Sequence, residues 1–283
     1  MRGMRYSYRH VGQLWEFRMR YEEIRKACPA WLGLGAAAVF GVFFATSSNA
    51  GEHDLIEQDA EKILTEMSAY LSELSSFSAD FDASTDIMTA DGQKIKLASS
   101  GNITLNRPGQ FRIQRLSSFT EMDIVLDEEL LTVYGEQING YLQLPATTID
   151  EAIATVRDDI GFEVPGADIL SSNPLNMDST DIVSGIHVGM TTIGGALVHH
   201  LAFRGDEVDW QIWVRDGNQP LPVKYVITSK LLAGAPEYAL GITNWNTEPQ
   251  IDDTTYTFVP PEGAQRITSV TIDAAGNITE RSE

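Results

Sequence analysis

LVHHLAFRGDEVDWQIWVRDGNQPLPVKYVITSK, residues 197–230, decides the fold class of this chain. Val208, Trp210, Ile212 and Val214 alternate with Asp209, Gln211, Trp213 and Arg215. A period of two marks a strand with one buried and one wetter side. Arg204-Gly205-Asp206 and Asp216-Gly217-Asn218 bring the Gly, Asp and Asn that tight reversals need. Pro220 and Pro222 stand where the next strand begins, a place that tolerates a missing ladder donor. The stretch therefore reads as three strands of an antiparallel meander.

The same pattern extends outward. Phe77, Ala79 and Phe81 alternate with Ser78, Asp80 and Asp82, and Asp91-Gly92 turns the chain into a strand over Lys94–Leu105. Further strands are expected at Phe111–Leu116, Met122–Leu126, Leu130–Tyr134, Tyr141–Leu144, Asp181–Met190, Tyr238–Trp245 and Tyr256–Val259, the last closing the sheet. Two helices interrupt them. Over Asp54–Leu74, Ile56, Ala60, Ile63, Leu64, Met67, Leu71 and Leu74 recur every three or four residues, and Asp54 with Glu57 has capping-box spacing. Over 149–159, Thr148 and Glu151 repeat that spacing, Ile149, Ile153 and Val156 make an apolar face, and Gly161 can stop the helix. Val164–Met177 reads as loop or short helical turns, and the polar tail after Thr268 as loose. The fold class is mainly β with helices, and the domain runs over 51–268.

The N-terminus follows another logic. Arg18, Arg20, Arg25 and Lys26 precede an apolar run, Ala30–Ala45, and a small-residue end at Ser48-Asn49-Ala50. These are the three regions of a secretory signal peptide, with cleavage expected after Ala50. Sixteen apolar residues at ~1.5 Å each fall short of a ~30 Å hydrocarbon core, so removal is favoured over a permanent anchor. Cys28 is the one cysteine and precedes the run, which excludes the acylation site of a lipoprotein, disulfides and thiolate chemistry in the mature chain. Residues 1–50 carry seven of the 20 basic and three of the 40 acidic residues, leaving 13 basic, 37 acidic and a balance of −24. Such a field repels nucleic acid and anionic membrane surfaces.

The segments His199-His200-Leu201-Ala202-Phe203 and Val208-Asp209-Trp210-Gln211-Ile212-Trp213 carry a family resemblance. So do Asn244-Trp245-Asn246, Phe258-Val259-Pro260-Pro261 and the opening helix running into Ser75-Ser76-Phe77. The chain resembles the DUF2092 family of predicted periplasmic proteins, itself similar in fold to the lipoprotein carrier LolA and the acceptor LolB. That resemblance implies a periplasmic protein built as a curved, incompletely closed antiparallel half-barrel whose concave side is covered by helices. It implies no reaction and no functional residues.

A half-barrel encloses more volume than its own side chains fill unless helices plug it. The expected function is therefore carriage or sensing of a hydrophobic ligand, a lipid or the acyl chain of a lipoprotein, by a monomeric exported protein. Trp210 and Ile212 on the apolar strand face, Met67, Tyr70, Leu71 and Leu74 on the first helix, and Ile153 on the second are the candidate ligand wall. Trp210 and the stripe Met67, Tyr70, Leu71 and Leu74 read more readily as plain core, and the stripe would touch a ligand only if the helices plug the sheet incompletely. No cofactor is called for. His199 and His200 are adjacent on a strand and point apart, so they cannot share an ion, although His187 could meet one of them across a strand pair. Asp127-Glu128-Glu129, Asp158-Asp159 and Asp252-Asp253 fall at turns and read as solvated charge. No G-x-S-x-G or phosphate-binding glycine loop occurs, which leaves a periplasmic hydrolase as the weakest alternative. A non-enzymatic module receiving an envelope protein at its open sheet edge is the stronger one.

Overall fold

In the computed structural model the quoted stretch forms the three middle strands, β8 (Ala196–Gly205), β9 (Val208–Arg215) and β10 (Pro222–Ser229), of a five-strand meander that begins with β7 (Ile182–Ile193) and ends with β11 (Glu237–Asn246). The structure describes residues 55–160, 164–175, 182–272 and 278–280, all within the unit Asp54–Glu283. The signal-peptide reading of residues 1–50 and the stop at Gly161 lie outside them. A second meander precedes the first in sequence: β1 (Ser76–Met88), β2 (Lys94–Asn106), β3 (Gln110–Ser117), β4 (Glu121–Asp127), β5 (Leu130–Gly135) and β6 (Gly140–Pro145). The halves join where β1 pairs antiparallel with β11, setting Phe81 opposite Ile242 and Ala83 opposite Leu240. A short β12 (Gln265–Arg266) adds parallel to β6 and completes a twelve-stranded sheet with β12 at one end and β7 at the other. The ends do not pair, so the half-barrel is open.

Helix α1 spans Gln58–Glu73 and lies against β7 and β9, although the chain enters β1 directly from it. Ala60, Leu64, Met67 and Leu71 are its buried stripe. The helix starts later than its apolar periodicity suggests. Glu57 is the N-cap and makes no side-chain cap bond; its amide donates instead to the Gly185 carbonyl, while Gly185 donates to Leu55. The three residues before the helix thus add to the β7 edge, and that pairing displaces the expected capping box. Helix α2 covers Ile149–Thr155 and continues as a π turn over Val156–Ile160. Here the cap forms: Glu151 N donates to Thr148 Oγ1 at 3.1 Å, and Thr147 N donates to Glu151 Oε2 at 2.7 Å.

Two strand expectations are corrected. Tyr256–Val259 is not a strand; it belongs to a strap in which Arg112 donates to the Thr255 carbonyl and Phe258 packs on Tyr134 and Tyr141 at 5.8 and 5.3 Å. Nor is the chain loose after Thr268. β13 (Val270–Ile272) pairs with β14 (Ile278–Glu280), and Val270 and Ile272 are in the core. Their apolar side chains outweigh the polar residues that surround them in sequence.

The sheet has two distinct faces. On the helix-covered face Phe77, Leu105, Leu126, Leu201, Phe203, Trp210, Ile212 and Tyr225 meet the helices in one continuous core. Phe203 stacks on Trp210 at 4.2 Å, and Gly185 lies beneath the Phe203 ring, where a Cβ would come within 2.5 Å. Among the described residues no helix covers the opposite face. Trp213, Lys224, Gly241 and Asp82 follow one another across it at paired positions.

Candidate functional site

The expected ligand wall separates into closed and half-open residues. Met67, Leu71 and Ile212 are 0% exposed, so no water-sized void touches them. Trp210 is buried between Phe203 and the edge of Tyr225, 5.8 Å away. Tyr70, Leu74 and Ile153 are partly buried and pack against the margin of the core. Beside them on the covered face sits a polar group. The turn Ala167–Ile169 lays Asp168 over the sheet, where Tyr225 Oη donates to Asp168 Oδ2 at 3.2 Å. Asp168 Oδ1 is shut off from solvent without a partner among the described residues. Burial pushes the Asp168 carboxyl up from its ordinary range. Burial also raises the Tyr238 hydroxyl to about 12, with the Asp168 charge adding to it and Arg115 opposing it.

The helix-free face holds a groove of about 630 Å³. Its floor follows β11, β1 and β2, where Ala239, Gly241, Ser84 and Ala98 present small side chains. Ile193 and Ala196, from the tip of the β7–β8 hairpin, stand at one wall with Val223. Arg215 and Lys224 line the same groove. Lys224 Nζ leans over the Trp213 ring, 4.8 Å from its centre, and so away from Gly241. Sequence reasoning overlooked these positions because alanine and glycine on the wetter face of a strand resemble ordinary surface. The usable signal was the run Ala239-x-Gly241-x-Thr243, three small residues at alternate positions, where β9, two strands away, carries Trp213 and Arg215.

Other chemical candidates resolve into structure. His199 and His200 point apart: His199 meets His187 at 3.3 Å and Asp216 at 3.1 Å, while His200 stacks on Trp213 and meets Gln211 at 2.9 Å. No group of three or more His, Cys, Asp or Glu among the described residues could hold a metal. Asp127 accepts from the amides of Glu129 and Leu130, and Asp252 from Thr254, so both runs build turns. They do converge, with Asp253 and Tyr256, on a smaller cavity of about 350 Å³ under the strap.

Residues 60–270 match the profile of DUF2092, described as predicted periplasmic protein. The chain belongs to that family. No curated protein matches it. Among solved structures, this DUF2092 chain is similar to an uncharacterized conserved protein from Thermus thermophilus, with a TM-score of 0.45 and 12% identity over 75% of this chain and 99% of that one. It is similar to the Mycobacterium tuberculosis lipoprotein LppX, with a TM-score of 0.44 and 10% identity over 69% and 98% of the two chains. A LolA superfamily protein from Nitrosomonas europaea gives a TM-score of 0.38 and 12% identity over 70% and 97%. Among the described residues no helix is long and apolar enough to cross a membrane.

Proposed function

We propose that this DUF2092 protein is a periplasmic carrier or sensor that binds an apolar ligand, a lipid or the acyl chain of a lipoprotein. The observation that supports it is the groove on the helix-free face. Its 630 Å³ fall within the ~300–1,000 Å³ usual for small-molecule sites, and its floor is the small residues Ala239, Gly241, Ser84 and Ala98. Covering that floor with an acyl chain contributes roughly 0.8 kcal/mol for each methylene fully withdrawn from water. The ligand is thus seated in the groove, while Met67, Leu71 and Ile212 hold the scaffold together. Native mass spectrometry of the exported protein, followed by solvent extraction, tests this reading. A co-purifying lipid is the expected result. A bare protein mass, together with no saturable binding of a fluorescent fatty acid, rejects it.

One observation favours a protein-binding role instead. Edge strand β7 (IVSGIHVGMTTI) contains no charged residue and no proline, the devices that usually protect an edge. Val183, Ile186, Val188 and Met190 are all exposed along it. Leu55–Glu57 occupy this edge at Gly185, and beyond them, along Val188–Ile193, an extended segment of an envelope protein could add as a further strand. Val188→Lys and Met190→Lys would abolish capture of such a partner and leave lipid binding intact.

A further inference from the structure

The groove carries two cations that no carboxylate holds among the described residues. Elsewhere several of the described bases are held by acids, Lys94 and Lys96 by Asp86 at 3.5 and 2.8 Å, Arg112 by Asp123 at 2.6 Å, and Lys230 by Asp209 at 2.9 Å, and what sets Arg215 and Lys224 apart is that they share one groove. In a chain with a net charge of −20, acids outnumber bases two to one, so a base finds a carboxylate easily. Arg215 and Lys224 have no carboxylate partner among the described residues. They sit on the same sheet face as diagonal neighbours across the β9–β10 pair, since Lys224 stands opposite Trp213 and Arg215 follows two residues later. From both, the small-residue floor of Gly241, Ala239 and Ala98 leads away across β11, β1 and β2. Cationic mouth and apolar trough make one amphipathic site.

We propose that this groove binds an amphiphile with an anionic head, a carboxylate or phosphate monoester on an acyl chain, and that Arg215 and Lys224 hold the head. The inference rests on the apolar-ligand reading above and adds the ligand's charge and orientation. Asp82 also lines the groove, on the far side of Gly241 from Lys224, and repels the head from that side. The charges therefore fix direction: head toward β9 and β10, chain over Gly241 toward β2. Holding the head draws Lys224 off the Trp213 ring, which gives the site its own optical signal.

The floor can be blocked without strain. A Cβ at Gly241 would meet nothing nearer than Asp82 O at 3.7 Å, and Gly241 has no positive φ. Gly241→Phe thus fills the groove on an unaltered sheet, with thermal melting confirming the fold. The probes are cis-parinaric acid and its methyl ester, each titrated below its aggregation threshold into the full-length protein, Arg215→Gln, Lys224→Gln and Gly241→Phe. The acid is expected to bind with a change in Trp213 emission that Trp213→Phe removes. Each charge variant weakens the acid roughly tenfold, the usual scale for a lost charge-assisted hydrogen bond, and leaves the ester unchanged. Gly241→Phe abolishes binding of both. Displacement by lauric acid or by dodecyl phosphate supports the anionic head either way, and the more potent of the two says which head it is. Acid and ester binding alike, indifferent to Arg215→Gln and Lys224→Gln, overturns the anionic head and leaves the apolar-ligand reading standing. Unchanged binding by Gly241→Phe overturns the groove as the site. Failure of both probes to bind overturns both readings together.

Discussion

Asp168 occupies a position where charge is expensive. One carboxylate oxygen accepts from the Tyr225 hydroxyl, the other has no side-chain partner among the described residues, and the Asp168 and Ile169 amides only partly offset the burial. Burial therefore raises its pKa, and burial likewise holds Tyr225 well above the usual phenol range, with the Asp168 charge and their hydrogen bond contributing. A carboxyl whose folded pKa lies above its unfolded value stabilises the fold fully below the unfolded pKa, about 3.9, and loses that contribution as pH rises through the folded pKa. Asp168→Asn keeps the acceptor for Tyr225 and removes the ionisation. Its melting temperature relative to wild type should climb from pH 4 upward and level off once Asp168 is ionised in the wild type. A difference flat across that range would show that Asp168 titrates normally. Nothing in the sequence marked this residue: in the string Gly166-Ala167-Asp168-Ile169 an aspartate beside glycine reads as surface turn. Its burial comes from the sheet beneath, which brings Tyr225 from 57 residues away.

The elements divide scaffold from site. Helix α1 was legible because its period of three and four is written in apolar residues: of the seven forecast for its apolar face Ala60, Leu64, Met67 and Leu71 are buried, while Ile56, Ile63 and Leu74 are partly buried at its margin. Its start was not legible, because the pairing of Leu55–Glu57 with Gly185 depends on a strand more than 120 residues later. The layer it forms with the sheet is solid at Leu71, which touches no void. Leu71→Ala is expected to cost about 2–5 kcal/mol in denaturant unfolding, the range for opening a cavity in a packed core. The same variant should leave cis-parinaric acid affinity within error of wild type, whereas a large loss of affinity would return the ligand wall to the helix side. At α2 the threonine cap is real, and Thr148→Ala should lower stability by about 1 kcal/mol through the lost bond to Glu151 N. A neutral result in urea melts would mean that the Thr147–Glu151 contacts hold the helix start alone.

At the scale of the whole molecule, alternation revealed most of the strands and the hairpin order within each half, since consecutive strands joined by Gly, Asp and Asn turns pair with one another. It did not reveal the β1–β11 seam, the strap over residues 250–262 or the short β12, because pairing between distant segments leaves no local pattern. The seam nevertheless governs cooperativity. One core cluster takes Phe77, Leu105 and Leu126 from the first half and Leu201, Trp210 and Tyr225 from the second. Helix α1, joined in sequence to β1, lies on β7 and β9 of the other half. Neither meander can open without exposing the apolar face of its partner, so the two should unfold together. Trp210, Trp213 and Trp245 all belong to the β7–β11 half, while far-ultraviolet circular dichroism sees both halves. With Trp15→Phe and Trp31→Phe to silence the remaining tryptophans, the two signals are expected to trace the same urea transition with one midpoint. If the fluorescence change instead ran ahead of the dichroism, the second meander would be melting by itself. The seam would then be a contact between two independently stable sheets and not the spine of one.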